Sequence, residues 1–298
     1  MVDIKGIIVA ICTPLNSDES LNLNELRNQI ERQIESGIDG IFTTGTNGEG
    51  YILNGSEKRQ ILATAIDQVK GRVPVYAGTG CISTKETIEQ SLVAKELGAD
   101  VISIITPSFA TASQEELYIH FKTVAEAVDL PILLYNIPAR TGNTLEPETV
   151  SRLAQIKNIV GIKDSSGKWD SLKAYLEIIK ERPDFVVLSG NDSLILDALI
   201  EGGKGGIAGC ANVYPALLSS IYDLYIEGKI DEARVAQNSI ASFRAVFKYG
   251  NSNTIVKKAV ELLGYPVGPC RAPFNGLSEE GLVALKAVLE ENKLKGLR

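Results

Sequence analysis

Histidine is almost absent from the sequence, one residue in 298, and the four cysteines, Cys12, Cys81, Cys210 and Cys270, stand far apart without a CxxC pair. A structural zinc site needs His and Cys at short spacings, and a disulfide framework needs a dense set of cysteines, so neither is expected. The reading that remains is reduced thiols in the core or at an interface of a cytoplasmic protein. A surplus of positive charge is missing too. The formal net charge is −7, which argues against nucleic acid or an anionic membrane as the main partner. Small anionic substrates are not excluded, because one or two local cations suffice to hold them. No stretch approaches the roughly 20 apolar residues that span a bilayer. The opening MVDIKGIIVAICTP breaks its apolar run too early for a secretory signal.

What is present is a core-forming composition, 44% apolar and 22% charged, and a repeating order of elements. Short β-branched runs predict strands at Ile7–Cys12, Gly40–Thr44, Val73–Ala77, Val101–Ile105, Ile132–Asn136, Ile159–Lys163, Phe185–Ser189 and, Gly-rich and weakest, Gly206–Ala208. Apolar residues at helical spacing fill Leu23–Ile34, Glu57–Val69, Lys85–Leu97, Glu115–Ala127, Pro147–Ala154, Leu172–Ile179 and Tyr214–Glu227. Glycines closing helices at Ser36-Gly37 and Leu97-Gly98 read as C-caps before the next strand. This alternation predicts an α/β fold, a (β/α)8 TIM barrel over residues 1–228, rather than an open sheet. Three further amphipathic helices, Ile230–Phe247, Thr254–Leu263 and Glu279–Glu291, predict a C-terminal helical appendage over residues 229–298. Each has one apolar face in need of a partner, so the appendage is expected to pack on the barrel.

Such barrels carry their chemistry at the C-terminal ends of the strands, and three strand ends hold reactive groups. The sixth strand ends in Lys163. Simple alternation puts Ile159, Gly161 and Lys163 on one face and Val160 and Ile162 on the other. A lysine entering a confined, partly apolar pocket is favoured as the neutral amine that attacks carbonyls. The blander alternative is a lysine that snorkels to solvent. The fifth strand ends in Tyr135 and runs into a loop carrying Arg140. A phenol can shuttle protons beside such an amine, and a guanidinium can hold a carboxylate through two parallel hydrogen bonds. The second strand opens into Thr43–Gly50, where glycines around Thr46 and Asn47 permit a turn whose N–H groups and side chains suit a small carboxylate. It is no P-loop, because no Gly-Lys-Ser/Thr follows. The single histidine, His120, sits in a helical segment and is expected to pack there, as is Trp169 at a helix start.

Three motifs together, Gly45-Thr46-x-Gly48-Glu49, Tyr135–Gly142 (YNIPARTG) and Gly161–Asp164 (GIKD), run in the order and spacing of one known family. Over essentially its whole length the chain resembles the dihydrodipicolinate synthase / N-acetylneuraminate lyase family of class I aldolases and lyases. The resemblance implies that Lys163 forms a Schiff base with pyruvate, that Tyr135 relays protons, and that Thr46 is its hydroxyl partner. It implies a carboxylate cradle at Thr46-Asn47, a second carboxylate on Arg140, and a pyruvate pocket lined by Gly190 and Ile207. It further implies a homotetramer, a dimer of dimers, with no metal or organic cofactor. Two positions depart from the synthase pattern. Phe109 stands where a tyrosine usually reaches across a subunit interface, leaving the relay to water, Ser108, Thr111 or Ser113. Asn47 is more reminiscent of branches that cleave 4-hydroxy-2-oxoglutarate or 2-keto-3-deoxy sugar acids, whereas Arg140 favours condensation with aspartate semialdehyde. A barrel that merely binds a keto acid as a scaffold is the distant alternative. The positions of the family's lysine-feedback site hold Gly55, Lys58 and Ile82, so millimolar lysine is expected to leave activity unchanged; an inhibition curve would contradict this.

Overall fold

A computed structural model of the chain describes residues 2–297. Eight parallel strands close into a barrel in sequence order. They are β1 (Gly6–Ala10), β2 (Gly40–Thr43), β3 (Val75–Gly78), β4 (Val101–Ile105), β5 (Ile132–Asn136), β6 (Ile159–Asp164), β7 (Val186–Ser189) and β8 (Gly205–Ala208). The Gly-rich last strand is real: β8 pairs with β1 from Gly6↔Gly205 to Val9↔Ala208 and completes the ring. β3 starts two residues later than expected because Pro74 has no N–H to give to a neighbouring strand.

The first four helices are set by their caps. Asn22 begins α1 (Leu23–Glu35), Asn54 begins α2 (Gly55–Val69), Ser83 begins α3 (Thr84–Leu97) and Ser113 begins α4 (Gln114–Ala127), each side chain accepting from a backbone N–H of the first turn. Prolines at the first position start α5 (Pro138–Thr141), α6 (Pro147–Ala154) and, later, α10 (Pro215–Ile226). Between them lie α7 (Trp169–Leu176), α8 (Ile178–Glu181) and α9 (Ile195–Ile200). Neither α5 nor α9 shows in the hydrophobic pattern, since helices of four and six residues are too short to display a period. The remaining helices are α11 (Ile230–Ser239), α12 (Ala241–Ala245), α13 (Ser252–Leu262) and α14 (Glu279–Leu294). The expected helix over Ile230–Phe247 is broken after Ser239. The bend seats Phe243 edge-on against Tyr214 and Phe247, with ring centroids 5.5 and 5.6 Å apart.

Two apolar layers hold the barrel. One fills its interior and includes Ile8, Phe42, Tyr76, Val101, Leu133, Val160, Leu188 and Ile207. The larger one lies between the strands and their helices. The simple alternation expected of β6 fails at its start. Ile132 pairs with Ile159 but Leu133 pairs with Gly161, so Val160 is an extra residue. This bulge sends Ile159 outward and Val160 inward and resets the phase. Gly161 then faces the interior, where an added Cβ would lie 2.9 Å from the Leu133 side chain. Lys163, two residues on, shares that face.

The C-terminal helices reach the mouth of the barrel through an ion pair buried on both sides. The Lys257 Nζ on α13 lies 2.8 Å from Glu49 Oε1, and also donates to the carbonyls of Thr13 and Pro269 at 2.8 and 2.7 Å. Such a pair contributes mainly by fixing geometry, since desolvating two charges offsets most of their attraction. No helix among the described residues is long and apolar enough to cross a membrane.

His120 is buried as expected, on α4 facing α3, with Nδ1 2.9 Å from the Thr84 hydroxyl. Burial pushes its pKa down to about 4. The unfolded chain therefore binds this proton first as pH falls. The stability that His120 contributes is complete above its ordinary pKa of about 6.5 and is lost toward pH 4, at up to about 1.4 kcal/mol per pH unit. Denaturant unfolding from pH 7 to pH 4 should show this slope, and His120→Phe should flatten it; equal slopes would rule the residue out as its cause.

Candidate active site

Lys163 and Tyr135 are register partners at the ends of β6 and β5. The lysine nitrogen lies 3.9 Å from the centre of the Tyr135 ring and 5.2 Å from that of Phe42. Both residues are only 3% exposed, so the lysine does not snorkel to bulk water. Its stem is confined from the β7 side by Gly190, where an added Cβ would overlap the Ser165 hydroxyl and lie 2.9 Å from Lys163 Cε. The next residue, Asp164, belongs to the scaffold: its carboxylate accepts from Asn136 Nδ2 at 2.8 Å and from the Ser166 hydroxyl at 2.6 Å. Burial pushes its pKa up although these hydrogen bonds work against the shift.

The Tyr135 hydroxyl lies 3.1 Å from the Thr46 hydroxyl, and either can donate. Burial alone would push the phenol up. The charged form of Lys163 and hydrogen bonds from Thr46, Ser165 and Lys163 outweigh burial, so the phenol ionises below its ordinary value. A phenol tuned in this way can give and take a proton beside the amine.

Thr46 sits in a turn built under strain. Thr44 and Glu49 both have positive φ, 53° and 57°, a backbone state that costs a non-glycine residue about 1–2 kcal/mol. Tertiary bonds hold it there: Thr44 donates to the Gly78 carbonyl at 3.0 Å, Thr13 to the Gly48 carbonyl at 2.7 Å, and Glu49 Oε2 accepts from the Arg271 N–H at 2.8 Å. The Asn47 side chain is half-buried and leans on Gly209 beyond β8, close enough that no Cβ fits there. Ile207 packs in the interior layer with Phe42. The structure thus brings Lys163, Tyr135, Thr46 and Gly190 together directly, whereas Asn47 joins them only through its neighbour Thr46 and Ile207 only through the interior layer.

Above them opens a cleft of about 510 Å³, lined among others by Phe42, Thr46, Ser103, Ser108, Tyr135 and Arg140. Arg140 lies on α5 with its guanidinium exposed, 3.2 Å from Asn251 Oδ1 and 3.3 Å from the Ser252 hydroxyl. Of the hydroxyls near strand 4, Ser108 lines the cleft, whereas Ser113 is committed to capping α4 through Glu116. Phe109 is 98% exposed with φ of 79°. Cys81 lies on the cleft wall, and burial pushes its thiol up to about 11. No cluster of three or more His, Cys, Asp or Glu side chains able to hold a metal stands among the described residues.

The residues of α13 that touch the site were not legible as site residues. Asn251 and Ser252 meet Arg140, Asn253 donates to the Thr46 carbonyl at 2.6 Å, and Lys257 meets Glu49. In the sequence, Asn251-Ser252-Asn253 reads only as a helix start. Contacts spanning more than a hundred positions leave no local signal.

The dihydrodipicolinate synthetase family model matches residues 3–292. The 4-hydroxy-tetrahydrodipicolinate synthase of Methanopyrus kandleri is 40% identical over 97% of this chain and 96% of its own. That of Cellvibrio japonicus is 37% identical over 96% of this chain and 98% of its own. Among solved structures, the 4-hydroxy-tetrahydrodipicolinate synthase of Methylacidiphilum fumariolicum superposes with a TM-score of 0.94 at 34% identity, covering 98% of this chain and 97% of that one. The chloride-inhibited dihydrodipicolinate synthase of Acinetobacter baumannii, solved with pyruvate, gives 0.93 at 36% identity, over 98% and 99%.

Tyr135→Phe keeps the ring against Lys163 and removes only the hydroxyl. Turnover of a substrate held at Lys163 is expected to fall about 10²–10⁴-fold, with KM little changed. Steady-state kinetics check this; a loss below tenfold would remove the phenol from the chemistry.

Proposed function

The chain belongs to the dihydrodipicolinate synthetase family, and on that premise we propose that it condenses pyruvate with aspartate semialdehyde through a Schiff base on Lys163, as a 4-hydroxy-tetrahydrodipicolinate synthase does. The observation that carries this reading is the buried Lys163 nitrogen 3.9 Å over the Tyr135 ring, whose hydroxyl is 3.1 Å from Thr46. Pyruvate docks with its carboxylate on the Thr46-Asn47 turn, its body against Gly190 and Ile207. Neutral Lys163 adds to the ketone carbon, and Tyr135, backed by Thr46, protonates the carbinolamine hydroxyl, which leaves as water. The resulting iminium draws electrons from the adjacent methyl group, which loses a proton and leaves an enamine. The enamine carbon attacks the aldehyde carbon of the second substrate, whose carboxylate lies on Arg140. The new C–C bond leaves an alkoxide that takes up a proton. Attack of the substrate's amine on the imine carbon closes the ring and releases Lys163. The pyruvate bound in the Acinetobacter baumannii relative supports the first substrate. Arg140, free to leave Asn251 and Ser252 for a stronger bidentate partner, supports the second.

The competing reading is retro-aldol cleavage of 4-hydroxy-2-oxoglutarate or a 2-keto-3-deoxy sugar acid, favoured by Phe109, which lacks a hydroxyl, and by Asn47. The proposed assembly is a cytoplasmic homotetramer. Large apolar side chains at the cleft rim support burial against another subunit: Phe109 is 98%, Ile82 62% and Tyr51 52% exposed. The proposed organisation is a barrel over residues 1–228 and a helical extension over 229–298.

Purified protein given pyruvate and aspartate semialdehyde should form the cyclic product faster than it cleaves any keto-acid aldol. Phe109→Tyr should raise that rate by supplying a second hydroxyl. Faster cleavage of 4-hydroxy-2-oxoglutarate, with condensation unchanged by Phe109→Tyr, would establish the lyase instead.

A further inference from the structure

We propose that Asn253 is a positioning residue for the carboxylate of the 2-oxo acid: its amide holds the Thr46 carbonyl on the α13 side and so turns the Asn47 N–H away from that helix, toward a 2-oxo acid beside Lys163. The inference rests on the cradle assigned above to the Thr46-Asn47 turn. Asn253 lies in the first turn of α13, is 1% exposed, and its Nδ2 stands 2.6 Å from the Thr46 carbonyl oxygen, 207 positions away in sequence. That oxygen also accepts from the Glu49 N–H at 3.1 Å, which closes the turn. In a planar trans peptide the carbonyl and the N–H that follows it point in opposite directions. Drawing the Thr46 carbonyl toward α13 therefore sends the Asn47 N–H the other way. Among the described residues that N–H donates to no protein acceptor. The same residue, Thr46, carries the hydroxyl bonded to Tyr135.

A purely structural role fits Asn253 poorly. Its Oδ1 is buried without a hydrogen-bond partner, and an unpaired buried acceptor costs about as much as one hydrogen bond returns. Clamping the turn to the helix falls to Lys257, one turn further along the same face of α13, through its buried pair with Glu49. Lys257 holds the turn in place, and Asn253 sets which way its peptide faces.

The test compares Asn253→Leu, which removes the amide at similar volume, with Asn253→Asp, which replaces the donor by an acceptor. KM for pyruvate is expected to rise roughly tenfold or more in both, the scale of one hydrogen bond to a carboxylate. KM for the aldehyde should stay constant and kcat at saturating pyruvate should fall far less, and the thermal midpoint of the leucine variant should be unchanged or higher. Should the leucine variant not fold, the aspartate variant carries the test. A pyruvate KM within about twofold of wild type in a folded variant overturns the proposal, as does a drop in thermal midpoint with KM unmoved. Wild-type protein that forms no adduct with pyruvate would instead sink the assigned function, so the two failures read differently.

Discussion

Carbon–nitrogen chemistry at a lysine needs the amine held at one fixed spot beside a group that can give and take a proton, and neighbouring strand ends of a closed barrel arrange both. Lys163 is held against the faces of Tyr135 and Phe42 by its own strand, with no Cβ on Gly190 to push its stem aside. Much of the local structure serves that placement. The bulge at Val160 turns Gly161 and Lys163 inward together. The register of β5 against β6 brings Tyr135 level with the lysine. Were β6 to slip by one residue, the amine would face the helices and the phenol would have nothing to serve.

The second constraint comes from the far end of the chain. The turn that carries Thr46 contains two non-glycine residues with positive φ, so the local sequence alone does not hold it. Its bonds reach outward, to Thr13 after β1, to Gly78 on β3, to Arg271 before α14, and to Asn253 and Lys257 on α13. The C-terminal helices therefore form part of the frame of the site. Arg140 also meets the start of the same helix through Asn251 and Ser252, so both proposed carboxylate positions border α13.

The barrel was legible because its strands are short β-branched runs buried on both faces and its longer helices carry both caps and a period. Where those signals fail, the expectations fail with them. The short helices α5 and α9 show no period, Pro74 delays β3, and the β6 bulge inverts Ile159 and Val160 relative to simple alternation. Lys163, Tyr135, Thr46, Asn47 and Arg140 could be picked out because chemistry in a barrel gathers at strand ends. Asn253, Lys257 and Ser252 could not, because they act through contacts across the length of the chain. Cys81 on the cleft wall was equally silent, a lone thiol whose place depends on the packing of α3.

Every step of the proposed chemistry follows from the amine of Lys163 becoming covalently bound to a keto-acid carbon. Incubation with pyruvate, reduction with borohydride and peptide mass spectrometry test it directly. The result predicted is a single 1-carboxyethyl adduct on the amine of Lys163, formed only when pyruvate is present and absent from Lys163→Ala. An unmodified Lys163 peptide, or an adduct on a different lysine, would contradict it.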